Sequence, residues 1–253
     1  MLIVISPAKK QGFDFPWTGA VTVPQDLARS EQLVTQLKSM TAAQLAELMK
    51  VSDSIAELNY QRFQQFETPF DSDNARPAML AFKGDVYTGL AADQFTAEEL
   101  EFAEQHLRIL SGLYGALRPL DLIQPYRLEM GTRLPTARGR NLYQFWGERI
   151  TERLNETPAL QKDQVLINLA SNEYFRSVKP GVLAGRIITP VFKELRDGKY
   201  RIISFSAKRA RGQLAAAIIR QKMQDPEQIK SFAEDRYQYT PELSTDSEFV
   251  FCR

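Results

Sequence analysis

Leu2 to Ile5 is an unbroken apolar run with β-branched residues, stopped by Ser6-Pro7, the pattern of a buried strand that opens into a loop. After a loop around Pro16 and Gly19, residues 24–66 read as helical: Leu27, Val34 and Leu37 recur at helical spacing, and Thr41 with Gln44 forms a capping box ahead of Leu45, Leu48 and Met49. Phe70 to Pro77 is polar and reads as a loop. Thr96 with Glu99 is a second capping box, which predicts a helix over 97–106. Leu107 to Leu110 and Val165 to Leu169 read as short buried strands. Ile187 to Leu195 and Tyr200 to Ser206 are β-rich runs around Asp197-Gly198, a dipeptide that favours the positive φ angles of a hairpin turn. A helix follows at about 208–223, ended by Asp225-Pro226, and Phe249-Val250-Phe251 supplies a last strand. Strands and helices alternate irregularly with no repeat and no linker, so the expectation is one α+β domain over 1–253, mixed in strand and helix order.

Composition adds exclusions. The 253 residues are 43% hydrophobic and 25% charged, enough to build a core and far from disordered or collagen-like chains. The single Cys252 cannot form an internal disulfide, and the first residues carry only four apolar positions before a proline and two lysines, unlike a secretory signal. No stretch approaches the roughly 20 apolar residues of a membrane span. A cytoplasmic protein with no membrane partner is expected, a monomer by default. One His and one Cys leave no Cys/His zinc site, and Glu101 and Glu104 do not stand in Glu-x-x-His spacing to His106. No metal and no cofactor are expected.

Charge changes the picture more. Lys and Arg number 32 against 31 Asp and Glu, yet residues 176–222 hold twelve Lys/Arg against only Glu194 and Asp197. Residues 31–105 run the other way, with thirteen acids against five bases. The pattern predicts a dipolar molecule with one basic face or cleft. Within the basic segment, Lys208, Arg209 and Arg211 fall at the start of the expected helix, where cations oppose the macrodipole and a docked anion would relieve them.

Leu110-Ser111-Gly112-Leu113-Tyr114-Gly115-Ala116-Leu117 places two glycines three apart, followed by Arg118. This loosely resembles the hairpin of a helix-hairpin-helix DNA-binding motif, in which Gly112, Leu113, Tyr114 and Gly115 would offer backbone N–H groups to phosphates. By spacing alone an ordinary structural turn is the better reading. Other polar residues cluster where strand ends or turns are expected: Ser6 and Lys9, Lys83 and Asp85, Arg127 and Glu129, Asn168, Ser171, Asn172 and Glu173. Lys9 or Lys83 suits an anion clamp or, if buried beside other cations, a nucleophilic amine, and Asp85, Glu129 and Glu173 suit general acid or base roles. Pairing of these carboxylates with arginines is the plainer alternative for each.

Six ordered motifs, Ser6-Pro7-Ala8-Lys9, Phe82-Lys83-Gly84-Asp85-Val86-Tyr87, Leu110 to Gly115 with Arg118-Pro119-Leu120-Asp121, Tyr126-Arg127-Leu128-Glu129-Met130-Gly131, Asn168-Leu169-Ala170-Ser171 with Glu173-Tyr174-Phe175, and Lys208-Arg209-Ala210-Arg211-Gly212, resemble the YaaA peroxide-stress-resistance family from end to end. The resemblance implies a cytoplasmic bacterial protein that limits free iron and Fenton damage to DNA. It further implies an α+β fold with a positively charged cleft, a helix-hairpin-helix element and binding to double-stranded or structured DNA. Lys208, Arg209, Arg211, Arg118 and the 112–115 hairpin are then the expected phosphate contacts. The rival expectation is an enzyme acting on a phosphorylated or nucleotide-like small molecule, with Lys9, Lys83, Asp85, Arg127, Glu129 and Glu173 converging on one cleft.

Overall fold

In the computed structural model, which describes residues 1–253, Leu2–Ile5 forms β1 at the centre of an eight-stranded sheet. Its residues are fully buried, as a strand covered on both faces requires, and this explains the unbroken apolar run. The other strands are β2 (Leu107–Ser111), β3 (Gly115–Leu117), β4 (Val165–Leu169), β5 (Arg186–Arg196), β6 (Lys199–Arg201), β7 (Gln238–Tyr239) and β8 (Glu248–Cys252). Across the sheet the order is β7-β8-β5-β4-β1-β2-β3, with β6 paired only to β5. The five strands β2-β1-β4-β5-β8 are mutually parallel, and β3, β6 and β7 pair antiparallel.

That parallel core is laid down in the order 2-1-3-4-5. The chain adds β2 on one side of β1 and then switches to the other side for β4. In sheets of this kind the crevice outside the carboxyl ends of the two strands at the switch is where ligands bind. Here those ends are Ser6 to Lys10 after β1 and Ala170 to Glu173 after β4. Ser6 ties them together, its Oγ accepting a hydrogen bond from the Ser171 N–H at 2.9 Å.

The chain is α+β with a mixed sheet. The helical stretch resolves into α1 (Leu27–Lys38), α2 (Ala42–Met49) and α3 (Asp53–Gln65), and both capping boxes form, with Thr41 accepting from Gln44 N–H and Thr96 from Glu99 N–H. The helix α4 (Asp85–Leu90) precedes α5 (Ala97–His106). One hydrophobic cluster of 67 buried residues runs through the sheet and its covering helices. No helix is long and apolar enough to cross a membrane.

One element departs from expectation. The β-rich run Tyr200 to Ser206 is strand only as far as Arg201; α6 spans Ser204–Arg220, four residues earlier at its start than the pattern predicts. Ala207, Ala210, Leu214 and Ile218 are buried at helical spacing, so tertiary packing of that stripe overrides the strand propensity of the preceding residues. Lys208, Arg209 and Arg211 therefore lie beyond the first turn of the helix. The anion near that first turn is the chain's own Glu194, bonded by Ser206.

Glu194 is nearly sealed from solvent and accepts from Arg253 at 2.7 Å and Arg196 at 2.8 Å. The Ser206 hydroxyl, with these two guanidiniums, holds its carboxyl far below the ordinary range, at about 2. A depressed carboxylate contributes stability that is complete above its unfolded value and is lost as pH falls through the folded one. Glu194→Gln is expected to lower stability by about 1.5–3 kcal/mol near neutral pH, the range for hydrogen bonds to a charged group. The gap between the two proteins should shrink as pH falls from about 4.5 towards 2, where the wild-type carboxylate protonates. Urea midpoints for both proteins across that window measure it, and a gap that stays constant refutes the linkage.

Candidate functional site

The crevice at the ends of β1 and β4 is a cavity of about 330 Å³, lined by Ser6, Lys9, Lys10, Lys83, Asp85, Tyr87, Ser171, Glu173, Lys208 and Arg211 among others. Five cations and two carboxylates meet there, contributed by four separate stretches of chain. β1 delivers Ser6 to Lys10, and β4 delivers Ser171 and Glu173. A two-residue ribbon pairs Lys10 with Lys83 and brings the Lys83-Gly84-Asp85 turn alongside. α6 supplies Lys208 and Arg211, three apart and thus on one helix face.

Buried tyrosines line this part of the molecule. Tyr87 donates to the Ser6 carbonyl at 3.0 Å, and burial pushes the phenols of Tyr87, Tyr126 and Tyr174 upward, so they stay neutral. Lys83 Nζ lies 5.6 Å from the centroid of the Phe15 ring. Lys9 reaches Glu129 at 3.3 Å, and Glu129 also pairs with Arg127 at 2.9 Å. Glu173 accepts the Gly131 N–H at 2.9 Å. Through Lys9 and Glu173 the cavity continues into a groove of about 790 Å³ beside α2, lined also by Met40, Gln44, Glu47 and Arg133. All six residues considered for catalysis thus come together; Glu129 is ion-paired and Glu173 accepts a backbone N–H.

The expected phosphate contacts separate. Lys208 and Arg211 face the cavity, whereas Arg209, about 100° further round the helix, lies 3.6 Å from Asp235. Arg118 is committed to Asp121 at 2.8 Å and to Glu104 at 3.7 Å, and also donates to the Val23 carbonyl. Gly112, Leu113, Tyr114 and Gly115 form no helix-hairpin-helix element. They make the buried turn between antiparallel β2 and β3. The N–H groups of Leu113 and Tyr114 donate inward to Ser111 Oγ at 3.2 and 3.0 Å, leaving them no free donor for an outside phosphate. Close backbone approach is what Gly112 permits, but the neighbour is the protein itself: a Cβ there would sit 2.3 Å from the Leu128 carbonyl oxygen. The glycine thus seats the loop that carries Arg127 and Glu129.

Two further glycines build the cavity wall. α4 and α6 cross so closely that a Cβ on Gly212 would lie 1.8 Å from the Val86 carbonyl oxygen, and one on Gly89 would lie 2.2 Å from that of Arg209. This contact brings the start of α4, with Asp85, and the face of α6 that bears Lys208 and Arg211 to the same cavity. Sequence reasoning missed Lys10, whose only signal was its adjacency to Lys9, and the groove beside α2, whose apolar positions read as core.

The family described as "Peroxide stress protein YaaA" matches residues 1–243. A UPF0246 protein of Saccharophagus degradans is 54% identical to this chain over all of it and 99% of its own length. A UPF0246 protein of Aliivibrio fischeri is 52% identical, again over the whole chain and 98% of its own length. With a match across nearly every residue, including all six motifs, the chain belongs to the YaaA peroxide stress protein family.

Proposed function

We propose that this protein serves the peroxide-stress response by holding DNA through its phosphates at the cavity between β1, β4 and α6. The observation that carries the reading is the gathering of Lys9, Lys10, Lys83, Lys208 and Arg211 from distant parts of the chain against only two carboxylates. Lys10, Lys83 and Lys208 form no ion pair, Lys9 reaches only Glu129 at 3.3 Å, and cations facing one cavity in this way create a local positive field and release counterions when a polyanion docks. Contacts of this kind recognise backbone geometry and leave base edges unread, so structure preference rather than sequence preference is expected. The limitation of free iron and of Fenton damage is read as a consequence of that binding, with no iron held by the chain.

The test is a salt titration of binding to duplex and to distorted duplex DNA. With four to five cations engaged, log K against log salt should fall with a slope of about −4, at roughly −0.9 per phosphate. Binding that ignores salt overturns the reading.

A second reading, an enzyme acting on a phosphorylated small molecule, is favoured by one observation: Lys9, Lys83, Asp85, Arg127, Glu129 and Glu173 line one continuous depression. A pure polyanion binder gains nothing from carboxylates beside its phosphate site. Turnover of a phosphorylated metabolite that disappears in Glu129→Gln, with DNA binding retained, would favour this second reading over the first.

A further inference from the structure

Arg211 stands apart from the other cations of the cavity. Its neighbours Lys9, Lys10, Lys83 and Lys208 are exposed, whereas Arg211 is half-buried on α6. Its Nε is sealed from solvent and has no hydrogen-bond partner. Three buried side-chain polar atoms in the chain lack a partner, and Arg211 Nε is the one that belongs to a charged group. Burial disfavours its charge, and no nearby carboxylate offsets that cost. A sealed N–H with no partner is destabilising by itself, and an anion docked on the same guanidinium would offset that cost. Asp85 and Glu173 line the same cavity without pairing to it; Glu173 is occupied by the Gly131 N–H.

We infer that Arg211 anchors a subsite for one terminal phosphate monoester, carried by a nucleotide or by the end of a nucleic-acid strand. The inference rests on the reading of the cavity as phosphate-binding and gives it a ligand class. The planar fork of an arginine matches two phosphate oxygens at once, which a lysine cannot do. A monoester offers three free oxygens and nearly two negative charges. A diester within a continuous backbone offers two oxygens and one charge, and it is flanked on both sides by sugars. Entry to a guanidinium whose Nε is sealed favours the end-on group, while the exposed lysines at the mouth suit the backbone that follows it. A cavity of about 330 Å³ leaves room for a phosphate with its sugar.

The experiment compares binding of one oligonucleotide bearing a 5′-phosphate, a 3′-phosphate or only hydroxyl ends to the full chain, with adenosine monophosphate as competitor. Wild type, Arg211→Lys and Arg211→Gln are titrated in parallel. One phosphorylated end should bind about tenfold more tightly than the hydroxyl end, equivalent to about 1.4 kcal/mol. That ratio should fall to within about twofold in Arg211→Gln, with Arg211→Lys between the two. Competition by the mononucleotide identifies a free nucleotide as able to fill the site; preference without competition assigns it to strand ends. A ratio near one in wild type, or one unchanged in Arg211→Gln, overturns the inference. DNA binding without end preference leaves the polyanion reading standing alone. Arg211-dependent nucleotide binding without DNA binding reverses that, and loss of every interaction removes both. Removing a half-buried unpaired cation should not lower the melting temperature; if Arg211→Gln fails to fold, the Arg211→Lys ratio decides.

Discussion

Gly212→Ala is expected to destabilise the fold by about 2–3 kcal/mol, a fall in melting temperature of roughly 5–10 °C for a chain of this size. In an isolated helix the same change would help, since alanine exceeds glycine by about 1 kcal/mol in helix propensity. Here the added methyl would fall 1.8 Å from the Val86 carbonyl oxygen and 2.8 Å from the Leu90 nitrogen. Both are backbone atoms, so α4 has to move as a unit and takes the Lys83-Gly84-Asp85 turn with it. DNA affinity should fall alongside stability. Gly181→Ala is the control: nothing lies within 4 Å of the position, and the change should be nearly silent. Thermal unfolding of the two variants settles the matter, and an unshifted Gly212→Ala refutes the close crossing.

Simultaneous replacement of Lys10, Lys83 and Lys208 by alanine is expected to weaken DNA binding by about a hundredfold at physiological salt and to reduce the salt slope by about 2.7. None of the three is ion-paired, and all are exposed, so the fold should be left nearly intact. Lys83 also loses its cation–π contact with Phe15, of the order of 0.5–1 kcal/mol. Lys222 and Lys230 supply the comparison. Each is held by a glutamate, at 2.8 and 2.7 Å, and neither lines the cavity. Their double alanine variant should bind DNA within about twofold of wild type, because a surface charge already paired contributes little field. Equal losses in both variants would place the binding surface elsewhere.

Local elements were legible in the sequence where a short-range signal dominates. The two capping boxes, the Asp197-Gly198 hairpin turn and the buried runs Leu2–Ile5 and Val165–Leu169 depend on residues within a few positions of one another. The start of α6 was misplaced because Tyr200 to Ser206 has strand composition, and only the buried alanine stripe from Ala207 onward decides for helix. The turn at 112–115 was legible as a turn. That its donors point inward to Ser111 was not, since that depends on the Leu128 loop and Trp146, whose indole donates to the Gly112 carbonyl at 3.0 Å.

The same division holds for the site. Residue types were already readable along the chain: few His and Cys, a basic segment over 176–222, and polar motifs at the ends of apolar runs. The sequence also carried the family, because ordered motifs survive as strings. Which charges act together depends on how distant segments pack. The strand order brings the ends of β1 and β4 side by side though more than 160 residues separate Ser6 from Ser171. The glycine crossing turns Lys208 and Arg211 towards Lys83 while helical geometry turns Arg209 away to Asp235. Ion pairing is a matter of a few ångströms, and burial depends on every neighbour at once. Whether a given cation is solvated, neutralised or, like the Arg211 Nε, sealed without a partner is therefore fixed by packing between segments and by nothing in its local sequence.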